Sequence, residues 1–159
     1  MHIVFVGAGN VATHLALALD KIHDVVQVYS KLFENAKDLA DKLKSATPTS
    51  KLEEINPSAD LYVISVKDDA ISQVVDAVTF SSGLWVHTSG SVSIEILKTK
   101  FARSGVLYPL QTFSKEIPVE VSQVPFFVEG SDSETETIIE NLANELSTIV
   151  HKADSSQRS

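Results

Sequence analysis

The stretch GAGNVA, residues 7–12, decides how this chain is read. It follows the apolar run HIVFV, residues 2–6, and leads into VATHLALAL, residues 11–19. Gly7, Gly9 and Ala12 complete the spacing G-x-G-x-x-A. Between a strand and a helix, the first glycine makes the tight turn and the second lets a pyrophosphate approach the backbone. A small third residue lets helix and strand pack closely. A helix starting at Asn10 or Val11 aims its free N–H groups and positive end at such an anion. Gly7, Ala8, Gly9, Asn10 and Val11 are therefore candidate phosphate-binding residues. The alternative is a structural turn between two buried elements.

Outward from this turn, short apolar runs alternate with helical patterns. HIVFV reads as a strand, and Val11, Leu15, Ala18, Leu19 and Ile22 recur at helical spacing. DVVQVYS (24–30) is a second strand, and Phe33, Ala36, Leu39, Ala40 and Leu43 mark a second helix. A polar stretch with Pro48 and Pro57 reads as loop, with one helical turn around Leu52 to Ile55. DLYVISV (60–66), LWVH (84–87), GVLYP (105–109) and VPFFVEG (124–130) are further strands. Asp68 or Asp69 can cap the helix carrying Ile71, Val74, Val75 and Val78, and Ile94 with Leu97 suggests a short helix. SDSETE (131–136) offers capping boxes from Ser131 with Glu134 and Ser133 with Glu136, ahead of a last helix. Apolar strands alternating with helices mean a mainly parallel sheet covered on both faces. The expected fold is α/β, doubly wound, with about six strands and helices on both faces.

The chain has 159 residues, a net charge of −8 and no cysteine. One domain with a real core is expected at this length. The acidic balance argues against nucleic acid and anionic membrane as partners. The lack of cysteine excludes disulfides and thiolate metal sites. His2, His14, His23 and His151 have no metal-ligand spacing and read as surface residues, so no metal is expected. The run 3–6 is too short for a signal peptide, and no stretch approaches the ~20 apolar residues of a membrane span. A soluble, cytoplasmic protein with a small-molecule substrate is the expectation.

The tip of the second strand speaks to the ligand. An NAD site places Asp or Glu there for the ribose hydroxyls. This chain has Tyr29-Ser30-Lys31, and Asp24 lies at the wrong end of the strand. A hydroxyl and an ammonium suit a 2′-phosphate, so Ser30 and Lys31 point to NADP. The alternative is an ordinary exposed loop lysine. At the end of the fourth strand, His87 could donate a proton to a carbonyl or imine under reduction. It could instead orient its loop by bonding a backbone group. Ser89 follows it at the carboxyl ends of the strands, where open α/β sheets bind ligands.

VFVGAGNVATHLA, VYSK, DLYVISVKDDAI, WVHTSGSVSIEIL and GVLYPLQTFS together resemble a two-domain family. Its N-terminal half is Rossmann-like and its helical C-terminal domain is of unknown function. The family is similar to pyrroline-5-carboxylate reductase and to the 6-phosphogluconate dehydrogenase-like NADP reductases. The resemblance implies NADP-dependent reductase chemistry on a small C=O or C=N substrate. It implies cofactor contacts from Ser65, Val66 and Lys67, with a solvated lysine beside a helix cap as the other reading of Lys67. Gln111 and Thr112 are placed with Ser89 in the substrate cleft, or else they form a turn holding Phe113 in the core. It further implies a homodimer built through the helical domain. On this basis residues 1–150 are the NADP-binding domain, and 151–159 are expected to begin a linker to a helical domain absent from this chain. A non-catalytic NADP sensor or interaction module is the rival reading.

Overall fold

A computed structural model describes residues 1–158. The central strands β1 (His2–Val6), β4 (Leu61–Ile64) and β5 (Leu84–His87) bury nearly every side chain, because alternate residues pack on opposite faces. Ile3, Phe5, Leu61, Val63, Leu84 and Val86 belong to one core, and Val4, Val6, Tyr62, Ile64 and Trp85 to the other. The remaining strands are β2 (Asp24–Tyr29), β3 (Thr47–Thr49), β6 (Arg103–Pro109), β7 (Phe126–Gly130) and β8 (Val150–Lys152). They form one sheet in the order β3-β2-β1-β4-β5-β6-β7-β8. Strands β1 to β6 run parallel, and β7 is antiparallel to β6. The chain winds one way from β1 to β3 and then returns past β1 to β4. The switch point therefore lies between β1 and β4, where open α/β sheets bind ligands.

Helices α1 (Asn10–Asp20), α2 (Phe33–Ala40) and α5 (Ser133–Leu146) cover the first core through Leu15, Leu19, Leu39, Ile139 and Leu142. Helices α3 (Ile71–Ala77) and α4 (Glu95–Lys98) cover the second through Ile71, Val74, Val75 and Leu97. Tyr62, Trp85 and Phe101 stack face to face there, with ring centroids 4.2 Å apart in each pair. The first helix stops at Asp20, earlier than its apolar stripe suggests, and leaves Ile22 exposed. Asp20 is buried, and its carboxylate accepts from the Val25 and Lys44 amides at 3.0 and 2.8 Å.

The doubly wound fold read from the sequence is the fold observed, with eight strands rather than six. The stretch around Pro48, read as loop, supplies β3 against β2. The tail read as a linker is, over residues 151–158, part of the fold, and Ser159 lies outside the described residues. Val150–Lys152 pairs with β7, and a short helix α6 (Ser155–Arg158) follows with Arg158 buried. Neither expected capping box forms at α5. Asp132 is its N-cap and accepts from the Thr135 amide at 2.7 Å, while the Glu136 carboxylate accepts from the Gly130 amide. No side chain caps the Asp68–Ala70 turn or α3, so Asp68 and Asp69 are not caps. No helix among the described residues is long and apolar enough to cross a membrane.

Candidate cofactor site

The glycine turn sits at the switch point. Gly7 has φ +131°, a backbone region that side chains avoid, and a Cβ there would collide with the Ser65 carbonyl. Its amide donates to the Tyr29 carbonyl at 2.8 Å, so one residue ties the ends of β1, β2 and β4 together. Gly9 is the N-cap of α1 and differs in kind: a Cβ there would meet open space. Neither a side-chain cap nor an acidic residue occupies the first turn of α1. The orphan amides and positive end of an eleven-residue helix therefore face solvent unopposed. Ala12 is fully buried, as the close packing of α1 requires.

A cleft of about 920 Å³ opens over this turn. It is lined by Gly7, Ala8, Gly9, Asn10 and Val11, by Ser30 and Lys31 at the tip of β2, and by Ser65, Val66 and Lys67 after β4. All ten residues proposed from sequence for the cofactor thus share one wall. Lys31 and Lys67 are exposed and make no ion pair among the described residues. Tyr29, Leu32, Asn35, Leu52, Gln73 and Thr88 also line the cleft and were not singled out beforehand. Their signal is positional: Tyr29 and Thr88 lie at strand ends, and Leu32, Asn35, Leu52 and Gln73 lie in the turns and helices that follow strands at the same edge.

The loop after β5 is built differently. His87 is fully buried. Its Nδ1 accepts from the Ser89 amide at 3.1 Å, and its Nε2 faces the Ser93 carbonyl at 3.4 Å. Both contacts suit the neutral ring protonated at Nε2. Burial holds the imidazole far below its ordinary value, at about 4, with the nearby Arg158 charge acting in the same direction. His87 is therefore shut away from the cleft, and its burial favours the neutral ring. Its expected role as a proton donor gives way to the alternative of loop organiser. Ser89 lines the cleft, and its Oγ accepts from the Ser91 and Val92 amides. Thr88 Oγ1 donates to Ser65 Oγ at 3.2 Å, and Ser91 Oγ to Asp68 at 2.9 Å, joining this loop to the one after β4.

Gln111 and Thr112 do not join Ser89. They line a separate hollow of about 420 Å³ with Ile117, Pro118 and Gln123, because the chain turns away after Pro109. Phe113 is buried, in keeping with the structural reading of this loop. His14, expected at the surface, is buried on α1. Its Nε2 lies 2.6 Å from the Ser114 carbonyl and its ring stacks on Phe113. No group of three or more potential metal ligands occurs among the described residues.

A family model described as a Rossmann-like domain matches residues 1–112. Among solved structures, a Bacteroides fragilis protein assigned as an NADP oxidoreductase is 40% identical. It superposes at a TM-score of 0.90 over 99% of this chain and 62% of its own. Pyrroline-5-carboxylate reductase from Coxiella burnetii is 18% identical at a TM-score of 0.74, over 96% of this chain and 58% of its own. Prephenate dehydrogenase from A. aeolicus, solved with NAD⁺, is 12% identical at 0.78, over 99% and 61%. The latter two likenesses concern the fold alone. The chain spans about three fifths of the length of each of these proteins. No curated protein matches the chain.

Proposed function

The chain belongs to the Rossmann-like domain family, and we propose that it is the NADP-binding part of an oxidoreductase that moves hydride between NADP(H) and a small C=O or C=N substrate. The observation that carries this reading is the cleft itself. An uncapped helix end with open space over Gly9 adjoins a strand tip carrying Ser30 and Lys31. No Asp or Glu stands at that tip to compete with a 2′-phosphate. The cradle fits a pyrophosphate, since backbone amides and a helix dipole supply the binding without needing a net positive protein. A cleft of about 920 Å³ lies near the upper end of the usual range for small-molecule sites.

In this reading the amides around Gly9 hold the pyrophosphate. Ser30 and Lys31 hold the adenosine 2′-phosphate, and Ser65, Val66, Lys67 and Ser89 line the other half. The cofactor, when bound, supplies the hydride. Neutral, buried His87 keeps the Ser89 backbone in place. The similarity to a B. fragilis protein assigned as an NADP oxidoreductase supports NADP over NAD. The intact protein is read as a cytoplasmic homodimer assembled through a helical second domain.

One observation favours the rival, a sensor without turnover: His87, the residue read from sequence as the proton donor, is buried and does not line the cleft. Calorimetric titration with NADPH and NADH tests the cofactor. Saturable binding with NADPH the tighter ligand is expected, and no heat with either ends the proposal. Optical assay of NADPH oxidation against keto and imino acids, on the intact protein, separates reductase from sensor.

A further inference from the structure

The side chain of Arg158 is fully buried and lies outside the cleft. Its guanidinium reaches in two directions. Nη1 donates to the Glu129 carboxylate at 2.7 Å and to the Ala153 carbonyl at 3.1 Å. Nη2 donates to the Val92 carbonyl at 2.7 Å. Nε has no partner among the described residues. Burying a guanidinium with one orphan N–H is a poor way to gain stability, because desolvation offsets most of the attraction between the charges. What the arrangement does supply is geometry: a rigid planar fork fixes two elements relative to one another.

The element it fixes leads to the cleft. The Val92 carbonyl accepts from Arg158, and the Val92 amide donates to Ser89 Oγ at 3.1 Å. The Ser89 amide in turn donates to His87 Nδ1, and Ser89 lines the cleft. Two hydrogen bonds thus connect the C-terminal segment to Ser89 on the cleft wall beyond β4 and β5, and a third anchors Ser89 to His87. This wall lies across the switch point from Ser30 and Lys31 at β2. The Arg158 charge also opposes protonation of His87, which keeps Nδ1 an acceptor for the Ser89 amide.

We propose that Arg158 is a positioning residue for the nicotinamide half of the cofactor site, holding the 88–93 loop through the Val92 carbonyl. This rests on the NADP reading above. It adds that the last described residue of the chain sets the affinity for one half of the dinucleotide and leaves the other half alone.

The test compares two ligands that divide the cleft. NADP⁺ spans both halves, whereas adenosine 2′,5′-bisphosphate reaches only the β2 half and the glycine turn. In R158M, the NADP⁺ dissociation constant is expected to rise about fivefold or more while that of the bisphosphate stays within about twofold. R158K keeps the charge beside Glu129 but cannot span both directions, and it takes the place of R158M if that variant fails to fold. Near-ultraviolet circular dichroism of the Trp85 stack checks the fold of each. Equal weakening of both ligands in a native-like variant, or no change in either, overturns the proposal. Failure of the wild type to bind either ligand overturns the NADP reading itself, and is told apart because it precedes any substitution.

Discussion

At the tip of β2, Ser30 and Lys31 hold their polar groups out to the cleft, and Lys31 makes no ion pair among the described residues. At the tip of β5 the opposite holds. His87 and Ser89 spend their hydrogen bonds on one another and on neighbouring backbone. Both loops leave parallel strands at the same edge of one sheet, so topology does not set them apart. Burial does. The β2 tip is solvated and can keep an unpaired ammonium at no cost. The β5 loop folds over its own strand end, where an unpaired polar group costs about 1–3 kcal/mol. An exposed tip can therefore await a charged ligand, while a buried one must satisfy itself first and offers the ligand mainly shape.

Gly7 lies between the two tips and ties the ends of β1, β2 and β4 together, so changing it is the most severe perturbation. Gly7→Ala forces a side chain into a positive-φ conformation and against the Ser65 carbonyl. A loss of at least about 3 kcal/mol in urea unfolding is expected, with dinucleotide binding abolished. Gly9→Ala is the control, since its Cβ enters open space. It is expected to keep stability within about 1 kcal/mol and to lose affinity more than about tenfold, because the methyl occupies the pyrophosphate's approach.

The closed end is probed by pH. His87 has a folded value near 4 against an ordinary 6.5. Between these values the unfolded chain binds the extra proton and the folded chain does not. Stability contributed by the neutral ring is therefore complete above about pH 6.5 and is lost as pH falls toward 4. The loss amounts to about 3 kcal/mol from this residue. His87→Gln is expected to remove that part of the slope in urea unfolding measured from pH 7 to 4. An unchanged slope would assign the acid sensitivity elsewhere.

The open end is probed by charge. Lys31→Glu is expected to lower the preference for NADPH over NADH by ten- to a hundredfold, equivalent to ~1.5–3 kcal/mol, as read by titration calorimetry. Unfolding stability should not move. The smallest effect belongs to the link between loops. Ser91→Ala removes an exposed hydrogen bond to Asp68 and is expected to change stability by no more than about 0.5 kcal/mol.

The same distinction between exposed and buried explains what the sequence made legible. The glycine turn was readable because its chemistry is local: turn, helix start and small packing residue lie within six positions. The ten residues that line one wall of the cleft were read from that turn, from strand-end positions and, for Ser65 to Lys67, from family resemblance. Strand β3 was not readable, since Thr-Pro-Thr becomes a strand only by pairing with β2. Strand β8 was hidden in the same way within a polar tail, where two of its three residues are exposed. His14 was misplaced because its burial depends on Ser114, a hundred residues away. His87 was misassigned because nothing local announces that residues 88–93 fold back over the strand end. Gln111 and Thr112 missed the cleft because the direction of a loop after a proline is a tertiary fact.

The outermost strands of the sheet are both three residues long. One contains Pro48, which lacks an N–H, and the other ends in exposed His151 and Lys152. Neither margin is a template along which a foreign strand could zip, and charge and proline are the usual guards against such growth. Such short, guarded margins favour docking through side chains on the helical layers or the loops over lengthening of the sheet.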